Sequence, residues 1–117
     1  MIRVVIKRRV KNEEKISELI RELRLGAVTH PGYLGGETLV STENLNVITV
    51  IGRWRSIIDW NNWKSSQKRN DINEKVEALL VQPAIIEVYE FIPPEQLDFL
   101  EDPYSFLTLM EHPSFDG

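Results

Sequence analysis

Residues 47–66 read VITVIGRWRSIIDWNNWKSS, and this stretch decides the fold. From Val47 to Trp54 the side chains alternate, with Val47, Thr49 and Ile51 on one face and Ile48, Val50 and Trp54 on the other. A strand that is apolar on both sides is predicted to be central and covered twice. Ser56, with Asp59 three residues later, is a short-armed capping box that opens a helix. In that helix Ile57, Trp60 and Trp63 do not stay in phase with Ile72, Val76, Leu79 and Leu80 further on. At about 100° per residue, Trp63 and Ile72 point in roughly opposite directions, which predicts a kink or break near Ser65–Ser66.

Upstream, Ile2 to Val10 reads as a strand rich in β-branched residues, with Ile2, Val4 and Ile6 on an apolar face and Arg3, Val5, Lys7 and Arg9 on a mixed one. A first helix follows. Asn12 is a good N-cap, Glu13 and Glu14 suit the positive end of the helix dipole, and Ile16, Leu19, Ile20 and Leu23 form one stripe. Gly26, just past that stripe, predicts the end of the helix. His30-Pro31-Gly32 is a turn, and Tyr33 to Ser41 reads as a second strand in which Gly35 and Gly36 suggest a bulge or a close backbone approach. Downstream, Pro83 closes the second helical segment, Ala84 to Ile92 forms a last strand, and Pro93-Pro94 ends it.

The order strand, helix, strand, strand, helix, strand is the split βαβ pattern of an α+β, ferredoxin-like domain over residues 1–92. It predicts a four-stranded antiparallel sheet with two helices on one face. The other face then needs a cover, and the simplest is the same face of a second copy, so a homodimer is expected. Residues 93–117 form a C-terminal extension in which Leu97, Phe99, Leu100, Tyr104, Phe106, Leu107, Leu109 and Met110 are too apolar to be left in water. Asp102-Pro103 looks like a helix start, and the extension is expected to be partly helical and to dock on the domain or on the partner subunit.

Composition narrows the function classes. The chain has 117 residues, 42% hydrophobic and 27% charged, the mixture of one water-soluble domain. Fourteen basic against eighteen acidic residues give a net charge of -4, which argues against nucleic acid as a partner. The basic run Lys7-Arg8-Arg9 with Lys11 reads as a solvated or pocket-lining strand end. Without cysteine there are no disulfides, thiolate chemistry or Cys-based metal sites, and His30 and His112 lack metal-ligand spacing, so no metal is expected. Nothing resembles a signal peptide or membrane span, and a cytoplasmic location is expected. Gly32 to Gly36 lacks the strand before it and helix after it that a phosphate-cradling loop requires.

Trp54, Trp60 and Trp63 form the most informative cluster. Trp54 ends a buried strand and Trp60 shares a helical face with Ile57, so both read first as core. The phase break leaves Trp63 at the edge of the apolar stripe, where it either packs in the core or lines a cavity between helix and sheet. The run Trp54-Arg55-Ser56, then Asp59-Trp60, then Trp63-Lys64-Ser65-Ser66 resembles the helix-two signature of the antibiotic biosynthesis monooxygenase superfamily. Pro31-Gly32-Tyr33 with Glu37, Leu39 and Ser41 resembles its second strand.

The resemblance spans roughly residues 2–92 and implies a dimeric α+β barrel with a pocket between helices and sheet in each subunit. Some members oxidise aromatic polyketides with molecular oxygen and no bound cofactor, while others bind haem and open its ring. The haem-degrading members use an asparagine on strand one, a tryptophan on helix two and a histidine ten residues further on. Those positions fall on Lys7, Trp63 and Asn73, and two of the three depart, which argues against haem.

A cofactor-free oxygenase of a small aromatic or quinone-like molecule is thus the leading expectation. Trp63 and Lys7 are its expected catalytic residues, with Trp54, Asn73, Tyr33 and Arg53 about the substrate. Lys7, with Arg3, Arg53 or Arg69, would supply positive charge to a phenolate or carboxylate, although Lys7 also reads as a snorkelling lysine and Arg69 as a surface residue. The alternatives are a non-catalytic ligand-binding or sensory dimer and a haem oxygenase with non-standard ligation.

Overall fold

The computed structural model of the chain describes residues 1–11 and 13–101. In order they form β1 (Ile2–Arg9), α1 (Glu13–Val28), β2 (Tyr33–Val40), β3 (Val47–Trp54), α2 (Ile57–Lys64), α3 (Gln67–Glu77), β4 (Ile85–Glu90) and a 3-10 segment, Pro94–Glu101. The strands make one antiparallel sheet in the order β2-β3-β1-β4, so the expected α+β, ferredoxin-like architecture is present and β3 is central. The anticipated Asn12 cap and the segment from Asp102 onward lie outside the described residues.

Strand register decides which side chains meet the helices. Ile2 pairs with Trp54, Val4 with Gly52, Ile6 with Val50 and Arg8 with Ile48, so the even positions of β1 and β3 share one face. That face carries the core, in two clusters. Ile2, Val4, Ile6 and Trp54 pack with Ala27, Trp60 and Trp63; Val10, Ile16, Ile20 and Ile48 pack with Val76 and Leu80. Leu23 of α1 touches both clusters. Each fully buried aliphatic side chain contributes about 1.5–3 kcal/mol relative to exposure, so the helical cover is held mainly by this face.

The second helix is two helices. Ser65 caps the end of α2, and Ser66 opens α3 with its Oγ accepting from the Arg69 N–H at 3.2 Å. The break lets Trp60 and Trp63 face the sheet from α2 while Val76 faces it from α3, which a single straight helix with this sequence does not allow. At the start of α2 the short-armed capping box is complete: the Asp59 N–H donates to Ser56 Oγ at 3.2 Å, and that hydroxyl donates to Asp59 Oδ2 at 2.9 Å.

Two local expectations change. α1 does not stop at Gly26 but runs on to Val28. Gly26 lies against Trp63 instead, so close that a Cβ there would sit 2.7 Å from the indole Cη2. The glycine marks a close approach between helices, and the turn at His30–Gly32 ends α1. In β2 the anticipated bulge occurs as a register shift between Tyr33 and Gly35.

The opposite face of the sheet bears Arg3, Val5 and Lys7 of β1, Thr49, Ile51 and Arg53 of β3, and, well exposed, Leu39 of β2 and Ile85 and Tyr89 of β4. No helix of the described residues is long and apolar enough to cross a membrane.

Candidate functional site

Where the two core clusters meet, packing leaves a cavity of about 60 Å³ between the sheet and the helices. Its apolar walls include Val4, Ile6, Leu23, Ala27 and Val50, and its aromatic walls are Tyr33, Trp54, Trp60 and Trp63. The aromatics brace one another edge to face. Tyr33 and Trp54 have centroids 5.1 Å apart, Trp54 and Trp60 6.0 Å, and Trp63 meets His30 at 4.9 Å on a T-shaped contact. Trp63 is thereby fixed between its own helix, Gly26 and His30 while it lines the cavity.

The cavity adjoins a shallower groove of about 300 Å³ between α1 and β2, with which it shares Ile20, Arg24 and Thr38. At that junction Arg24 Nη2 donates to Thr38 Oγ1 at 3.0 Å, linking α1 to β2 across an exposed rim.

Two cations stand in these apolar surroundings. Arg8, on the helix-facing side of β1, is only 2% exposed, and its Nε is buried with no acceptor among the described residues. Arg69, in the first turn of α3, is 7% exposed, and its guanidinium carbon lies 5.9 Å from the centre of the Trp60 ring. Burial first, and the neighbouring Arg69 second, push Arg8 down from its ordinary value to about 10, with Glu77 acting in the opposite direction. Burial likewise lowers Arg69, again opposed by Glu77. Glu77 accepts a long 3.5 Å hydrogen bond from the Ala84 N–H through Oε1, and its buried Oε2 has no partner among the described residues.

The turn before β2 is locked at the other end of the strands from Arg8, where Tyr33 pairs with Trp54. Gly32 has φ +88°, a left-handed conformation, and a Cβ there would lie 2.3 Å from Asp59 Cγ. Asp59 in turn accepts from Arg55 Nε at 3.0 Å and Arg55 Nη2 at 3.2 Å, a two-point carboxylate contact.

Of the residues expected at the site, Trp63, Trp54 and Tyr33 come together around the cavity. Lys7 and Arg53 do not meet them: strand alternation puts both, exposed, on the other face of the sheet, where Lys7 pairs with Thr49 and Arg53 donates to the Leu34 carbonyl at 3.4 Å. Asn73, half-buried on α3 one turn beyond Arg69, is not among the cavity's lining residues. Arg69 is not the surface residue its polarity suggested, and within the basic run Lys7-Arg8-Arg9, read as a solvated or pocket-lining strand end, it is Arg8 that lines the cavity. The phase of each carried the signal. Arg8 follows Ile2, Val4 and Ile6 at even spacing, and Arg69 stands three and seven residues before Ile72 and Val76. Among the described residues no histidine lines the cavity.

These features define a ferredoxin-like domain with an aromatic-walled pocket beneath its helices. The chain belongs to the antibiotic biosynthesis monooxygenase family, whose model matches residues 1–75, the span from β1 into α3 that supplies every residue lining the cavity. Solved structures share the fold at low identity. A conserved protein from Methanosarcina mazei is 22% identical, with a TM-score of 0.73 over 78% of this chain and 92% of that one. SnoaB from Streptomyces nogalater, described as a cofactor-independent oxygenase, is 11% identical, with a TM-score of 0.73 over 79% and 93%. Rv0793 from Mycobacterium tuberculosis is 17% identical, with a TM-score of 0.69 over 80% and 97%. No curated protein matches the chain.

Proposed function

We propose that this chain is a cofactor-independent monooxygenase that oxidises a small aromatic or quinone-like molecule with molecular oxygen. The observation that carries the reading is the cavity itself, walled by Trp54, Trp60, Trp63 and Tyr33 among apolar side chains and three arginines. Flat faces held edge to face by one another form a rigid slot for a planar ring. The cavity, about 60 Å³, is smaller than the roughly 150 Å³ that accommodates benzene in a protein core. A ring system therefore extends from the cavity into the groove between α1 and β2, past the Arg24–Thr38 contact.

The chemistry asks little of the protein beyond orientation, exclusion of water and stabilisation of an electron-rich anion. A methylene carbon activated by flanking hydroxylated rings becomes a carbonyl, one atom of the oxygen molecule is retained and the other leaves as water. The substrate itself then supplies the four electrons, and no external reductant enters. Family membership and the fold shared with SnoaB support this reading.

The second copy expected from the sequence fits the outer face of the sheet, where Leu39, Ile85 and Tyr89 are exposed beside Val5 and Ile51. Sedimentation velocity tests that homodimer. The test of activity is oxygen uptake with a panel of polycyclic phenols that carry a ring methylene between hydroxylated rings. Uptake matched by product, and reduced at least about ten-fold in a folded Trp63→Phe variant, is the expected result. Binding of the panel with no uptake above buffer would leave a ligand-binding module and sink the oxygenase reading.

A further inference from the structure

We infer that Arg8 and Arg69 form a built anion site at the inner end of the cavity, and that the molecule bound there is a planar aromatic carrying a delocalised oxyanion, a phenolate or carboxylate. The inference rests on the reading that the cavity holds an aromatic molecule, and it adds the ionisation state and the residues that select it.

The argument begins with charge. A guanidinium is a fixed cation with five donors, and taking it out of water is unfavourable unless acceptors replace the solvent. Arg8 has given up its water and has an unpaired Nε among the described residues, yet it is built into the last rungs of the β1 ladder, where its backbone pairs with Ile48 of β3. Arg69 stands near enough to raise the cost of each charge on the other. The acid near both is Glu77, one carboxylate for two guanidiniums, and it makes no ion pair with either. Arg24, the third guanidinium of the lining, is held at the exposed rim by Thr38, so the buried part of the pocket keeps about one uncompensated positive charge, in apolar and aromatic surroundings.

Such a site is poorly matched to its own empty state and well matched to one ligand charge. A monoanion would neutralise the surplus and supply the acceptor that Arg8 Nε lacks, with its ring against Trp60, the ring that Arg69 already overlies. The guanidinium fork suits a planar carboxylate or a phenolate with its charge spread into the ring. Held beside an electron-rich ring, the same pair favours the ionised form of a phenol over the neutral one, the form that gives up electrons more readily.

The test compares 2-naphthoate with its neutral isostere 2-naphthamide, by quenching of tryptophan fluorescence at low ionic strength. Wild-type protein is expected to bind 2-naphthoate at least about ten-fold tighter than 2-naphthamide. Arg8→Met and Arg69→Met should each bring the two probes within about two-fold of one another. Equal binding of both probes by the wild type overturns the anion site and leaves the aromatic cavity standing. A preference that persists in both variants overturns the assignment to Arg8 and Arg69. Binding of neither probe refutes occupancy of the cavity by an aromatic, and this inference with it. Should Arg8→Met fail to fold, Arg69→Met decides the assignment by the same readings.

Discussion

Replacing Gly26 with alanine should destabilise the protein, although the substitution normally strengthens a helix. In an exposed helix interior, Gly→Ala gains about 0.8–1 kcal/mol, and somewhat less so near a C-terminus. Here the new methyl would sit 2.7 Å from Trp63 Cη2 and 3.3 Å from Cζ3. Trp63 cannot swing away freely, because His30 packs its edge at 4.9 Å and the other core side chains surround it. Overpacking of this kind costs about 1–3 kcal/mol, so the net loss should be about 1 kcal/mol, or roughly 4 °C in the thermal midpoint. The decisive comparison uses Trp63→Phe, which lacks both offending carbons. In that background Gly26→Ala should become stabilising by about 0.5 kcal/mol, giving a coupling of about 1.5 kcal/mol in the double-mutant cycle. Urea denaturation followed by circular dichroism measures all four proteins. If Gly26→Ala stabilises both backgrounds alike, the contact does not constrain Trp63 and the reasoning fails.

Gly32→Ala combines a left-handed φ of +88° with a collision against Asp59, and should cost about 2–3 kcal/mol in the same denaturation assay. Ser66→Ala removes the N-cap of α3 and should cost about 1 kcal/mol, with faster hydrogen exchange at the Arg69 amide as a local readout. Arg8→Met replaces a buried cation with an apolar side chain of similar reach. Its midpoint should stay level or rise, by about 1 kcal/mol or more, and a loss of several kcal/mol would show that Arg8 is a structural member of the core.

Strand and helix order were legible because each element carries its own period and punctuation. Val47 to Trp54 is apolar on both faces and proves central, and the phase slip between Trp63 and Ile72 located the helix break at its two serines. Gly26 misled because a glycine that ends a helix and one that admits a neighbouring ring look alike in a sequence; only the position of Trp63 separates them. The aromatic half of the site was readable from size and cost of exposure. Its charged half was not, since arginine is usually a surface residue, and the mixed face of β1 that carries Lys7 turns away from the helices together with Arg53. Counting by twos from Ile2 places Arg8, and not Lys7, beneath the helices.

The interruption at Ser65 and Ser66 also governs how the roof over the cavity can flex. Two short levers meet at a pivot, where one unbroken helix would behave as a beam. α3, with 11 residues, is about 16 Å long, so a rotation of about 10° at its serine end carries the far end about 3 Å. The displacement shrinks in proportion to distance from the pivot. Trp63 lies two residues before Ser65 and Arg69 three after Ser66, and the same rotation moves their backbones by less than about 1 Å. The break therefore sets the indole and the guanidinium close to the pivot, where their spacing is least sensitive to the angle between the two helices.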